Sequence, residues 1–447
     1  MLKLSKAKRA KGELRVPSDK SISHRAVIFS ALAEGESYVK EWLSSEDTLA
    51  TLNMLIALGV EVKKDGKNLR IKGRDYSFVE PSYVLDAKNS GTTARLMLGV
   101  LSTQPFFSVI TGDESLRQRP MLRVVEPLRQ MGAYLDGREK GNKLPVCVRG
   151  GSLKGISFFN KKSSAQVKSA LLLAGLRAEG YTEIVEPVLS RDHTERMLKA
   201  FGVELIQMEG KEGHVIKLKG GQRLVATEVF CPADPSSASF FVALAVLLEG
   251  SELLIKDVLV NPTRDGFFRK LKDMGADIRY ENLREISGEP VADIYVRYSG
   301  RLKAVEVHPE EVPSMIDELP ILAVVMALSE GVSRVRGAQE LRVKESDRIR
   351  AVVENLKVMG VRVEEYEDGF EIEGVERLKG DHIKTFGDHR IAMAFSIAGL
   401  LAEGETIIDN PECVAISYPN FWHPLWKRPP RLFSCLALRR VVAWLLP

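Results

Sequence analysis

The feature that most constrains this chain is a phrase that returns five times: a leucine-containing helix end, then glycine, then a short strand. It reads LIALGVEV at Leu55–Val62, LRQMGAYL at Leu128–Leu135 and LKAFGVEL at Leu198–Leu205, then LKDMGADI at Leu271–Ile278 and LKVMGVRV at Leu356–Val363. The glycines, Gly59, Gly132, Gly202, Gly275 and Gly360, are 73, 70, 73 and 85 residues apart. Near-constant spacing of this kind marks a duplicated supersecondary unit. With 447 residues there is room for two or three domains, each with its own core.

One repeat can be read from Ser21 to Gly73. SISHRAVIFSALAEG is a capped helix stopped at Gly35, ESYVKEWL a strand, and SSEDTLATLNMLIALG a second capped helix stopped at Gly59. VEVKKDGKNLRIKG is a hairpin turning at Asp65-Gly66. With one preceding strand the order is βαβαββ. The same order fits segments opening at NSGTTARLMLGVLS (Asn89–Ser102), SSAQVKSALLLAGLRAEG (Ser163–Gly180) and DPSSASFFVALAVLLEG (Asp234–Gly250). It also fits DELPILAVVMALSEG (Asp317–Gly331) and GDHRIAMAFSIAGLLAEG (Gly387–Gly404).

There are thus six first helices, each apolar on most sides and therefore buried. The expected class is α/β, in two groups of three repeats. The joins fall near VPSDKS (Val16–Ser21) and ATEVFCPADPS (Ala226–Ser236). If the N-terminal strand pairs with the later group, residues 1–17 and 230–447 form a discontinuous domain and 18–229 an inserted one. The sixth repeat lacks the Leu-Gly phrase. After SYPNF (Ser417–Phe421) the composition matches nothing upstream, and the Leu425–Pro447 tail reads as a divergent end or the product of an altered reading frame.

A net charge of +4 gives no reason to expect a nucleic-acid or membrane partner. No run of about 18 apolar residues is present, and the basic N-terminus has no apolar segment of a signal peptide. Four scattered cysteines, Cys147, Cys231, Cys413 and Cys435, are expected to be reduced thiols of a cytoplasmic protein.

Polar residues concentrate where helices open, and a helix N-terminus is a ready anion site. Lys20, Ser21, Ser23, His24 and Arg25 open the first repeat, and Asn89, Ser90, Gly91, Thr92, Thr93 and Arg95 the second. Ser163, Ser164, Gln166 and Lys168 open the third, Asp317 and Glu318 the fifth, and Asp388, His389 and Arg390 the sixth. SRDHTER (Ser190–Arg196), RVKESDR (Arg342–Arg348) and the loop Gly112–Met121 with Arg117 and Arg119 add to them.

Each cluster alone has a bland reading. NSGTT serves as a helix cap, KESDR as a surface helix laced by Glu345 and Arg348, and His193 and His389 as structural histidines. Together they point to a cationic cleft for phosphate- or carboxylate-bearing substrates, with Asp317 and Glu345 as a few carboxylates suited to proton transfer. No phosphate-binding glycine loop, dinucleotide fingerprint or metal-ligand spacing is present. The residues alone predict a cofactor-free enzyme joining or modifying two small anions.

PSDKSISHR, NSGTTARLM, the Arg119-Pro120 loop, SSAQVKSALLLAG, KESDR and GDHRIAMAF occur together in an order that resembles the 5-enolpyruvylshikimate-3-phosphate synthase (3-phosphoshikimate 1-carboxyvinyltransferase) family, over about Lys3 to Phe421. SAQVK, RDHTE and NPTR (Asn261–Arg264) look like its second class, although the expected Gly-Asp-Lys is Gly112-Asp113-Glu114 here. The resemblance implies two globules, each of three βαβαββ units in an inverse α/β barrel arrangement, with substrate bound between them. It implies enolpyruvyl transfer from phosphoenolpyruvate to the 5-hydroxyl of shikimate 3-phosphate, without metal or cofactor, in a cytoplasmic monomer.

By the same resemblance, Lys20, Asp317 and Glu345 are catalytic. Lys20, Ser21, Arg25, Ser163, Ser164, Gln166, Arg191, Asp317 and Lys344 hold shikimate 3-phosphate. Lys20, Gly91, Arg119, Gln166, Arg348 and Arg390 hold phosphoenolpyruvate. Where the family often has a lysine near its end, CVAISYP places Ile416. The rival readings are a non-catalytic anion-binding homologue and enolpyruvyl transfer to UDP-N-acetylglucosamine. The second commonly uses a cysteine in the loop matching Gly112–Met121, and this loop has none.

Overall fold

The computed structural model describes residues 1–423; the Leu425–Pro447 tail lies outside the described residues. The recurrent glycines stand at positive φ: Gly59 at 88°, Gly132 at 107°, Gly202 at 84°, Gly275 at 99° and Gly360 at 87°. Gly59 N–H donates to the Ile56 carbonyl at 2.9 Å and Val60 N–H to the Leu55 carbonyl at 3.1 Å. The same pair of bonds recurs at Gly132/Ala133, Gly202/Val203, Gly275/Ala276 and Gly360/Val361. This is the Schellman helix stop, in which a glycine in the left-handed region lets two orphan carbonyls find donors. The repeated phrase is thus a repeated local hydrogen-bond solution, and each copy turns the chain into the next strand.

Among the described residues all six predicted first helices form: Lys20–Leu32, Gly91–Leu101, Ala165–Gly175, Pro235–Leu247, Leu319–Ala327 and His389–Leu401. Asp19, Ser90, Ser164, Asp234 and Asp388 cap five of them through side-chain oxygens. The fifth starts instead from a 3-10 turn, Ile316–Glu318. The first helix ends at Leu32, before the expected stop at Gly35, because Ala33 is already extended; Gly35 serves the turn into the next strand. Leu319–Ala327 is buried along its whole length. Its large apolar side chains each contribute about 1.5–3 kcal/mol of burial, which explains a helix with no polar face.

Each of the first five repeats contributes a four-stranded sheet with one topology. A short first strand runs parallel to the second, and a hairpin supplies the two antiparallel neighbours on the far side. In repeat one, Glu36–Lys40 pairs with Glu228–Phe230 in parallel and with Asn68–Lys72 antiparallel, and Glu61–Asp65 closes the hairpin. In repeat three, Tyr181–Glu186 sits between Ser157–Phe159 and Gly213–Lys219.

The two stretches of N-terminal chain enter different sheets. Lys11–Leu14 is the parallel first strand beside Glu252–Leu259 of repeat four. Leu2–Ser5 pairs antiparallel with Glu405–Ile408 of repeat six, whose other neighbour is His382–Ile383. It therefore occupies the place that a hairpin strand fills in the other repeats. Among the described residues the sixth repeat has no hairpin of its own, and the start of the chain completes its sheet.

Two compact lobes result. Among the described residues the terminal lobe comprises 1–17, 233–284 and 291–423, and the inserted lobe comprises 18–232 with 285–290. In the terminal lobe the three first helices pack on one another. Where repeat six departs from the pattern, the 3-10 turn Pro411–Ile416 leads into Tyr418, Phe421 and Trp422. Phe421 stacks edge-on against Tyr418, with centroids 5.4 Å apart, and against Trp422 at 4.9 Å, and it also meets Phe240 and Phe241. These aromatic rings pack the end of the described chain against the first helix of repeat four. Cys147 and Cys413 are free thiols, and Cys231 is buried. Among the described residues no helix is long and apolar enough to cross a membrane.

Candidate active site

In the inserted lobe the helix openings are tied together by hydrogen bonds. Lys20 Nζ lies 2.7 Å from the Asp47 carboxylate at the start of the second helix. Thr93 Oγ1 at the next opening lies 3.4 Å from the Asp47 carbonyl, 2.6 Å from Thr51 Oγ1 and 2.7 Å from Ser90 Oγ. His24 Nδ1 meets Thr51 Oγ1 at 2.7 Å. Burial, aided by the charges of Lys20 and Arg25, pushes the His24 pKa well below its usual value, so its ring is neutral.

A second group surrounds Gly91. A Cβ at that position would lie 2.8 Å from an Arg95 guanidinium nitrogen and 3.5 Å from one of Arg119, so glycine is what lets both cations cover the helix start. Arg119 donates to Asn89 Oδ1 at 2.8 Å and to Ser115 Oγ at 3.2 Å. Arg95 donates to Gln166 Oε1 at 2.6 Å, and Gln166 Nε2 donates to Thr92 Oγ1 at 3.0 Å. Two guanidinium groups at an N-terminus make a strong anion site. Arg95, one turn into the buried helix Gly91–Leu101, stands beside Arg119 at this opening, although the resemblance does not count it among the ligands.

The third group carries Ser163, Ser164 and Arg25. Ser163 holds φ of 47°, strained for a serine, and its Oγ accepts from Val188 N–H at 3.1 Å. Asn160 bonds both the N–H and the carbonyl of Ser164. Buried Arg25 donates to Thr194 Oγ1 and Ser169 Oγ at 2.8 Å each, and to the Ser21 carbonyl at 3.0 Å. Beneath them Lys168, wholly buried, lies 3.0 Å from Glu186 and 2.7 Å from Glu195. Burial raises the pKa of Glu195, which Lys168 only partly offsets; for Lys168 the two carboxylates outweigh burial and hold the amine charged.

In the terminal lobe Arg348 is the hub. KESDR is not a laced surface helix. Arg348 is the first residue of Arg348–Val358, and its side chain is about 1% exposed. Its guanidinium donates to Asp388 at 2.8 and 3.2 Å, to Glu345 at 2.6 Å and to Asp317 at 3.3 Å. Burial alone would lower its pKa, but Asp388, Glu345 and Asp317 outweigh that and raise it. Arg390 lies 3.7 Å from the other Asp317 oxygen. Lys344 caps the 3-10 turn Gln339–Val343 just before this cluster.

The expectation of Asp317 and Glu345 as a few carboxylates among many bases does not describe this cluster, where Asp317, Glu345 and Asp388 face Arg348 and Arg390. The physical reason is Asp388. It caps the sixth first helix and pairs with Arg348, a role that its position in GDHR did not announce. The NPTR arginine has a related place: buried Arg264 donates to the cap Asp234 and to Ser236 Oγ, both at 3.3 Å. Ile416 is buried.

Asp192, His193 and Glu289 bring three possible metal-ligand atoms within 4.8 Å of one another. Their partners are already protein groups. His193 Nδ1 is 2.6 Å from Glu289, and Arg196 pairs with Asp192 at 2.9 Å and approaches Glu289 at 3.9 Å. Sequence spacing could not reveal this group, because Glu289 is 96 residues from His193.

The profile of the family described as EPSP synthase (3-phosphoshikimate 1-carboxyvinyltransferase) matches residues 4–425. A 3-phosphoshikimate 1-carboxyvinyltransferase of Aquifex aeolicus is 66% identical over 96% of this chain and 99% of its own length. One of Persephonella marina is 58% identical over 94% and 98%. The solved EPSP synthase of Acinetobacter baumannii superimposes with a TM-score of 0.83 at 44% identity, over 95% of this chain and 97% of its own. The chain belongs to the EPSP synthase family.

Proposed function

We propose that this chain transfers the enolpyruvyl group of phosphoenolpyruvate to the 5-hydroxyl of shikimate 3-phosphate, releasing phosphate, as a step of aromatic amino acid biosynthesis. The observation that carries the chemistry is that one guanidinium, Arg348, touches both Asp317 and Glu345. Two carboxylates held on a single cation form a pair that can serve two proton transfers of one reaction.

The 5-hydroxyl oxygen adds to C2 of phosphoenolpyruvate as its proton passes to Asp317, and the methylene carbon gains a proton from Glu345. The product is a tetrahedral ketal phosphate. The C2–O bond to phosphate then breaks, the leaving phosphate carries off the proton held at Asp317, and the new methyl group returns a proton to Glu345, which restores the double bond. Lys20 contacts both substrates and assists proton transfer. Ser163 and Ser164 take the phosphate of shikimate 3-phosphate, with Ser21, Arg25, Gln166, Arg191 and Lys344 on the rest of that substrate. Gly91, Arg119, Arg348 and Arg390 take phosphoenolpyruvate, with Gln166 shared. The equation as written consumes no cofactor, and the reading places the protein in the cytoplasm as a monomer.

The test is phosphate release by the purified protein given both substrates. Asp317→Ala and Glu345→Ala are each expected to lose about 10²–10⁴ in turnover while still binding both ligands. Near-wild-type turnover in either variant would remove that residue from the mechanism. No release by the unaltered protein, with both ligands bound, would favour the non-catalytic reading.

A further inference from the structure

We propose that Lys168, Glu186 and Glu195 form a buried positioning node that sets the affinity of the inserted lobe for the phosphorylated cyclic substrate. The proposal rests on the function proposed above and deepens it. None of the three side chains touches solvent appreciably, so none is a direct ligand.

The node's connections carry the argument. Glu186, at the end of Tyr181–Glu186, accepts from Asn160 Nδ2 at 2.9 Å, from Ser190 N–H at 3.1 Å and from Ser190 Oγ at 2.7 and 3.0 Å. Asn160 in turn holds both backbone groups of Ser164 and accepts Ser163 N–H at its carbonyl, 2.8 Å away. Ser190 directly precedes Arg191, and Lys168 Nζ also reaches the Ser190 carbonyl at 3.4 Å. Glu195 follows Thr194, whose hydroxyl meets Ser169 Oγ at 2.6 Å and accepts from Arg25. Ser169 follows Lys168 and accepts from the same guanidinium. Ser163 and Ser164 are therefore tied to the node by two hydrogen bonds through Asn160, and Arg191 and Arg25 each by one hydrogen bond and one peptide link.

Charges make this geometry specific. A buried ion cluster adds little net stability compared with a well-packed apolar one, because desolvation consumes most of its Coulomb gain. Its directional bonds, however, fix positions that apolar contacts would leave adjustable. Lys168 and Glu195 belong to SAQVK and RDHTE. Their ion pair makes one structural unit of two motifs that the sequence presents separately.

The experiment uses the full chain and three variants: Glu186→Gln, Glu195→Gln, and Gly275→Ala as a destabilised control in the other lobe. Calorimetry gives Kd for shikimate 3-phosphate alone, and steady-state kinetics gives KM for phosphoenolpyruvate and kcat at saturation. Glu186→Gln weakens charge-assisted bonds to Asn160 and Ser190, so Kd for shikimate 3-phosphate is expected to rise about tenfold, with the other two parameters moving less than about threefold. Glu195→Gln keeps the Lys168–Glu186 pair and is expected to shift the same Kd by about threefold; it decides the matter if Glu186→Gln does not fold. Gly275→Ala is expected to melt earlier with all three parameters unchanged. An unchanged Kd in a folded Glu186→Gln or Glu195→Gln protein overturns the proposal, and so does a parallel rise in KM for phosphoenolpyruvate. If the unaltered protein has no affinity for shikimate 3-phosphate, the proposed function itself fails and takes the node with it.

Discussion

Replacing Arg348 by methionine should reveal what its guanidinium does for the terminal lobe. Met keeps most of the side-chain volume and removes the charge that faces Asp388, Glu345 and Asp317. Asp317 and Glu345 retain some exposure and relax toward water, whereas the Asp388 side chain is 0% exposed. Asp388 then keeps two neutral donors, Ser346 Oγ–H at 2.9 Å and the Arg390 backbone N–H at 2.9 Å. Stranding a buried carboxylate in this way is expected to cost about 3–5 kcal/mol. For a lobe of this size that is a fall of about 6–20 °C in Tm.

The measurement is hydrogen–deuterium exchange across Arg348–Val358 together with a thermal melt. Exchange reports the lobe that carries the change, whatever the other lobe does. Adding Asp388→Asn should recover about half of the loss, since asparagine still caps a helix and strands no charge. A double variant no more stable than Arg348→Met would refute the reasoning. It would mean that the arginine acts through packing rather than by satisfying Asp388.

Other outcomes follow from the same coordinates. Gly275→Ala meets no atom within 4 Å but must hold φ of 99°, so denaturant melts should show a loss of about 1–2 kcal/mol. At Gly369 an added Cβ would fall 1.9 Å from the Val335 carbonyl oxygen, and Gly369→Ala is expected to be far worse, at about 3 kcal/mol or more. Glu195 has a raised pKa in the folded state, so the native protein binds a proton that the unfolded chain releases. Its contribution is fully present below the unfolded glutamate pKa and is lost as pH rises through the folded value. The stability of Glu195→Gln relative to the parent, measured by urea melts between pH 4 and 8, should therefore rise with pH; a difference that falls with pH contradicts the shift.

The parts of this architecture visible in the sequence are those decided locally. A Schellman stop needs only leucine, glycine and an apolar residue within six positions, and Leu55–Val60 supplies them as legibly as Leu356–Val361. Caps such as Ser90 and Asp388 are equally local. Contacts chosen by tertiary packing left no such trace. Arg348 meets Asp388 across 40 residues, and nothing in KESDR distinguishes that buried hub from an i, i+3 surface pair. Lys168 stands in an apolar helix run, where its amine could have been snorkelling; only the fold brings Glu186 and Glu195 to it. Repeat six read as truncated, because the strand that completes it lies at the opposite end of the sequence.

That last pairing has a consequence for how the protein is made. Lys3 pairs with Glu405, 402 residues downstream. At roughly 5–20 residues per second the opening strand leaves the ribosome about 20–80 s before its partner exists. Lys11–Leu14 also waits, for a shorter time, for Glu252–Leu259. In the inserted lobe the corresponding wait is shorter: the strand Glu36–Lys40 meets Glu228–Phe230 about 190 residues later. Biosynthesis thus has a built-in order: the inserted lobe condenses first, while a polar, lysine-rich strand remains solvated until the terminal lobe can recruit it. The charges of LKLSKAKRAKGELRV, which in the finished fold include the pairs Lys3–Glu405 and Arg15–Asp257, also suit a strand that must stay soluble and unpaired for most of a minute.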